Sequence, residues 1–100
     1  MTGTLTAPET ALADLRARID TLDAILVHTL AERFRQTDRV GRIKAAHSLP
    51  ALDRDREEAQ MARLERLAAE AGLDPALARE ILGLIVDRVK DNHRKLSGDQ

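Results

Sequence analysis

From Glu9 to Ala46 the chain contains no proline and one glycine, Gly41, and its mostly apolar seam residues recur every three or four positions. Leu12, Leu15, Ile19, Leu22, Leu26, Thr29, Arg33, Gln36, Val40 and Ile43 follow that spacing, the period of one helical face. Thr6-Ala7-Pro8-Glu9 reads as a capping box with proline in the first turn. The spacing therefore predicts a single helix to about Ala46, on the order of 50–60 Å long. A compact domain of 100 residues has a radius of gyration of about 13 Å, so this helix outruns the width of such a domain. Two shorter helices cover its stripe only in part. Burial of the remainder calls for a second copy of the chain, and the expectation is an obligate homodimer.

The rest of the chain supplies those two helices. His47-Ser48-Leu49-Pro50 ends the first, because the residue before a proline is pushed out of the α region. Asp53 is the expected N-cap of a second helix that runs to about Ala71 and stops at Gly72. Its expected inward stripe is Leu64, Leu67 and Ala71, continued upstream by Asp53, Arg56, Glu57 and Gln60. Asp74-Pro75 starts a third helix, with Ala78, Ile81, Leu82, Ile85, Val89 and Leu96 as its stripe and Asn92 and His93 beside it. Sixteen Ala and fifteen Leu against nine Val or Ile are helix-forming material. The expected fold class is all-α, three helices per chain with a very long first helix. Residues 1–8 read as a flexible N-terminus, 9–96 as one domain and 97–100 as a fraying tail.

Composition narrows the function. A formal charge of −1, from sixteen Lys+Arg and seventeen Asp+Glu, gives no global field toward nucleic acid or anionic lipid. Phe34 is the single aromatic residue, too few for a stacking platform. No run of eighteen apolar residues spans a membrane, and MTGTLTAPE lacks the plan of a secretory signal. The absence of cysteine excludes thiolate zinc sites and Cys nucleophiles and fits a reducing compartment, so the expected location is cytoplasmic. His28, His47 and His93 are too scattered to chelate from one face, and no glycine-rich phosphate loop is present.

Charges that interrupt apolar faces carry the chemical signal. Arg33 sits in the first helix's seam, where a cation is costly unless it meets an anion. Lys44 lies eleven residues on, close to three full turns, so the two project from one face roughly 16 Å apart and can share a small dianion. Arg16 is about 100° around the helix from Arg33 and roughly 25 Å away, so it serves the same pocket only from an antiparallel partner chain. Arg56 and Glu57 are expected to point inward at the start of the second helix, beside the loop after Lys44. Several cations with one carboxylate acceptor suit a small substrate carrying two carboxylates and a hydroxyl. Plainer readings exist for each: Arg16 as a solvated helix residue, Arg33 as an internal ion pair, Lys44 as a complement to the helix C-terminus, Asp53 as a cap.

Taken together these blocks resemble the all-helical chorismate mutases, intertwined dimers of three-helix chains. The carriers are Leu15-Arg16-Ala17-Arg18-Ile19-Asp20-Thr21-Leu22-Asp23, Leu30-Ala31-Glu32-Arg33, Val40-Gly41-Arg42-Ile43-Lys44 and, after Pro50, Asp53-Arg54-Asp55-Arg56-Glu57. The resemblance extends from about Leu12 to Leu96. It implies a Claisen rearrangement of chorismate to prephenate, without metal or cofactor, in aromatic amino acid biosynthesis. Arg16 from the partner chain and Arg33 then resemble the clamps on the two substrate carboxylates, and Lys44 the lysine that touches a carboxylate and the ether oxygen. Glu57 resembles the acceptor of the ring hydroxyl, helped by backbone at Asp53, with Arg56 ordering the cluster. The resemblance also allows an activating upstream pathway enzyme, whose contact the sequence does not place.

Two positions depart from the family pattern. Val89 stands where a hydroxyl residue is common, so one carboxylate contact is lost or replaced. His93 stands where Gln or Glu commonly donates to the ether oxygen, and only a donor form of its ring serves there. Its bland alternative is to complement a helix C-terminus with Arg94 and Lys95. Rival functions are a same-fold mutase or lyase acting on 4-amino-4-deoxychorismate or isochorismate, and a non-catalytic dimerisation module.

Overall fold

In a computed structural model that describes residues 6–96, the chain forms three α-helices, α1 (Ala7–Ala46), α2 (Arg54–Ala71) and α3 (Pro75–Leu96), with no strand among the described residues. The expected tail, 97–100, and residues 1–5 of the expected flexible N-terminus lie outside the described residues. The chain divides into two compact units, Met1–Phe34 and Arg35–Gln100.

Helix ends follow the local chemistry of the sequence. At the start of α1 the Thr6 N–H donates to Glu9 Oε2 at 3.0 Å and the Glu9 N–H to Thr6 Oγ1 at 3.2 Å, a reciprocal capping box. Asp53, extended at φ −131°, caps α2 by accepting the Arg56 N–H at 3.0 Å. Gly72 closes α2 at φ 79°, where the Leu73 N–H reaches back to the Ala68 carbonyl at 2.8 Å, the Schellman arrangement. Asp74 Oδ1 accepts the Ala76 N–H at 2.9 Å and so caps α3. The end of α1 adds a feature that Pro50 alone does not explain. Ser48 adopts φ 54°, and the Leu49 N–H bonds the Lys44 carbonyl at 2.8 Å, so the helix stops through a left-handed serine two residues ahead of the proline.

In the first unit, the apolar seam of α1 is open to solvent. Leu12, Leu15, Ile19, Leu22 and Leu26 are all exposed, Leu22 at 62%. In the second unit, α2 and α3 pack as a hairpin around Gly72-Leu73-Asp74. The positions buried nearest the turn are Ala68 and Ala78, small enough for close approach of the two helices, followed by Leu82. An ion pair between Arg79 and Glu65, at 2.9 Å, ties the two helices on their outer side.

The inner faces differ from expectation in detail. On α2 the burial falls on Ala68 with Leu64 half-buried, whereas Leu67 and Ala71 are exposed. Near the Gly72 turn the hairpin selects the smaller side chain one position along. On α3, Ile85 and Val89 are half-buried as the stripe requires, but Ile81 is exposed and Leu96 lies at the margin. The C-terminal turn of α3 meets the Arg35–Ala46 part of α1 at Gly41, the one buried residue of that helix.

Candidate active site

The last turn of α1 and the loop behind it form the centre of the site. Because Ser48 turns the chain back, Leu49, Pro50 and Leu52 wrap the end of the helix, and the Lys44 ammonium donates to the Ala51 carbonyl at 3.1 Å. Lys44 is half-buried. It lines, with Leu49, Pro50, Leu52 and Asp53, an open recess of about 410 Å³, within the range of small-molecule sites. Asp53 reaches this recess because it is the N-cap of α2. Its carboxylate holds the Arg56 N–H, and its carbonyl accepts the Glu57 N–H at 3.1 Å.

One turn into α2, Glu57 is half-buried and its Oε1 lies 3.1 Å from the Lys90 ammonium of α3. Sequence reasoning missed Lys90. It adjoins Val89, and its position facing α2 becomes visible only once the hairpin is formed. Arg56 does not point inward as expected. It is exposed, and its structural part is played by its backbone N–H at the cap. Val89 is half-buried on the same helix and presents no polar atom.

His93 is the buried polar side chain of α3, 9% exposed. A backbone carbonyl only accepts, so the 2.9 Å contact between His93 Nε2 and the Thr37 carbonyl makes Nε2 the protonated nitrogen. The ring sits against Gly41, where an added Cβ would lie 2.5 Å from His93 Cδ2 and 2.8 Å from Nε2. The sequence showed Gly41 only as a lone glycine in a helical pattern, and the close approach of the His93 ring is the reason for it. A neutral His93 thus has its one donor engaged by α1. Nδ1 donates to anything else only when the ring is an imidazolium.

In the first unit, Arg33 is half-buried in the seam, and its Nη1 is shielded from solvent without a hydrogen-bond partner. A guanidinium nitrogen in that condition is costly to keep, which sets Arg33 apart from a surface arginine. Arg16 is exposed. Within the second unit, then, Lys44 and Asp53 share the recess and Glu57 lies one helical turn beyond Asp53. His93 is held on α1.

The family model described as chorismate mutase type II matches residues 15–94. The chain belongs to the chorismate mutase type II family. A T-protein of Haemophilus influenzae is 41% identical over 73 residues, 72% of this chain and 19% of that protein. A 4-amino-4-deoxychorismate mutase of Streptomyces pristinaespiralis is 35% identical over 72 residues, 72% of this chain and 56% of that protein. One of Streptomyces venezuelae is 32% identical over 83 residues, 80% of this chain and 81% of that protein. The chain spans about a fifth of the T-protein and just over half of the first Streptomyces mutase. The three-helix, all-α architecture agrees with membership of the chorismate mutase type II family. None of its described helices is long and apolar enough to cross a membrane.

Proposed function

We propose that this chain is a chorismate mutase, rearranging chorismate to prephenate within a homodimer in which each site borrows Arg16 from the partner chain. The observation that carries the reading is Lys44, an ammonium anchored by the Ala51 carbonyl at a recess shared with Asp53, inside the segment that matches the family. The reaction is unimolecular. The ether carbon–oxygen bond breaks as a carbon–carbon bond forms, and no nucleophile, proton or electron is supplied from outside. What the protein contributes is the folded conformation of the substrate and positive charge where the ether oxygen gains electron density. Arg33 and the partner's Arg16 hold the two carboxylates, Lys44 faces the ether oxygen, and Glu57 accepts the ring hydroxyl. Arg33 Nη1, shielded and unmatched in the single chain, suits a substrate carboxylate.

The dimer is supported by the open seam of α1, whose leucines and Ile19 are exposed in one chain. Large apolar side chains in a continuous stripe are unfavourable in water, and a second copy presents the same stripe in return. The cysteine-free composition supports a cytoplasmic site of action. A second reading, rearrangement of 4-amino-4-deoxychorismate, is favoured by the names of two Streptomyces relatives. Incubating purified protein with chorismate, following loss of its ultraviolet absorbance and identifying the product, tests the proposal. Formation of prephenate is expected. The lack of Trp and Tyr keeps the optical background low. Silence on chorismate with turnover of the amino analogue reassigns the substrate, and silence on both removes the enzyme reading in favour of a dimerisation module.

A further inference from the structure

We propose that Lys90 selects a hydroxyl over an amine at the substrate position facing Glu57. The inference rests on the proposed function, in which the Glu57 carboxylate receives the ring substituent. Lys90 Nζ lies 3.1 Å from Glu57 Oε1, an ion pair that joins α3 to α2 while both side chains stay partly open to solvent, 45% and 34% exposed. A pair so exposed contributes little to folding stability, so its consequence is sought in what Glu57 can bind.

With one oxygen taken by an ammonium, the carboxylate keeps a second oxygen free to accept from a neutral hydroxyl. Its charge, however, is already balanced. An allylic amine at the same ring position enters as an ammonium at neutral pH. It then meets a carboxylate that another cation already occupies, and two positive charges stand within a few ångströms of each other. The amine must give up its proton or displace Lys90, and either costs binding. The hydroxyl meets neither obstacle. This is selection by a repulsive element placed next to an attractive one. Without Lys90, Glu57 presents an unbalanced negative charge, which favours the ammonium.

The test compares kcat/KM for chorismate and for 4-amino-4-deoxychorismate in the full chain as wild type, Lys90→Met and Lys90→Arg, with helical content checked for each. The wild type favours chorismate. Lys90→Met, which keeps the stem length and removes the charge, raises the amino-to-hydroxyl ratio about fivefold or more, and raised ionic strength shrinks that shift. Lys90→Arg returns the ratio toward wild type, which a role confined to packing would not do. A ratio unchanged by Lys90→Met in a protein that turns over either substrate overturns the proposal alone. Turnover of neither substrate by the wild type overturns the functional reading and this proposal with it.

Discussion

His93 and Gly41 occupy each other's space: the imidazole lies where a side chain at position 41 would begin, with Cδ2 2.5 Å from the site of the missing Cβ. The ring is held there by its hydrogen bond to the Thr37 carbonyl, one helical turn before Gly41. The C-terminal turn of α3 is thereby fixed against α1 through a polar residue in a position that an aliphatic one could fill.

Gly41→Ala is therefore expected to destabilise the protein although alanine is the better helix former. The methyl group displaces the His93 ring and costs the bond to Thr37, and overpacking of this kind costs about 1–3 kcal/mol. The gain in helix propensity of about 1 kcal/mol offsets part of it. A net loss of up to about 2 kcal/mol in urea denaturation, measured at one fixed protein concentration, is the expected result. Equal or greater stability would mean that the ring moves freely.

A part for His93 in the proposed reaction is open to test. With Nε2–H given to Thr37, the neutral ring offers an acceptor at Nδ1 and no second donor toward the substrate. His93→Gln, whose amide donates as well as accepts, is therefore expected to raise kcat/KM if this position faces the ether oxygen. An unchanged kcat/KM in the variant, measured by prephenate formation, would exclude His93 from the reaction.

Arg16 and Arg33 serve one pocket from two chains in the proposed dimer. Arg16→Ala and Arg33→Ala are each expected to lower kcat/KM by at least about a hundredfold, the scale of a lost charge-assisted contact in the transition state. Mixed and allowed to exchange subunits, the two variants regain about a quarter of wild-type activity. Half of the dimers are then mixed, and one of their two pockets holds both arginines. Absence of recovery after demonstrated exchange would place both arginines in one chain's site.

Lys44→Met removes the charge that the proposed function sets opposite the ether oxygen while leaving an apolar stem of similar reach. The expected loss is about 10²–10³ in kcat, larger than the change in KM, because the ether oxygen gains its charge in the transition state. Thermal stability should change little, since the hydrogen bond to the Ala51 carbonyl involves an exposed group. A KM effect alone would reduce Lys44 to a binding residue.

Much of this protein is local and so was legible in its sequence. The Thr6–Glu9 capping box, the Asp53 and Asp74 caps and the Gly72 stop are interactions between residues two to five apart, and they set the three helices almost to the residue. The candidate arginines, Lys44 and Glu57 were likewise visible, because charges on an apolar face stand out against a 3.6-residue period. What the hairpin buries was less legible. Ala68 rather than Leu67 lies inside, since the choice depends on how closely α3 approaches near the turn.

The chain's length, its proline-free seam and its caps determined an all-α protein with one helix too long to cover itself. Only the tertiary structure decided that Lys90 holds Glu57 and that Gly41 admits His93. Those pairs are 33 and 52 residues apart in the chain. Periodicity assigns a residue to a face of its own helix, but it carries no record of which side chain on another helix will stand opposite. That is settled by crossing geometry and by the space small residues leave open.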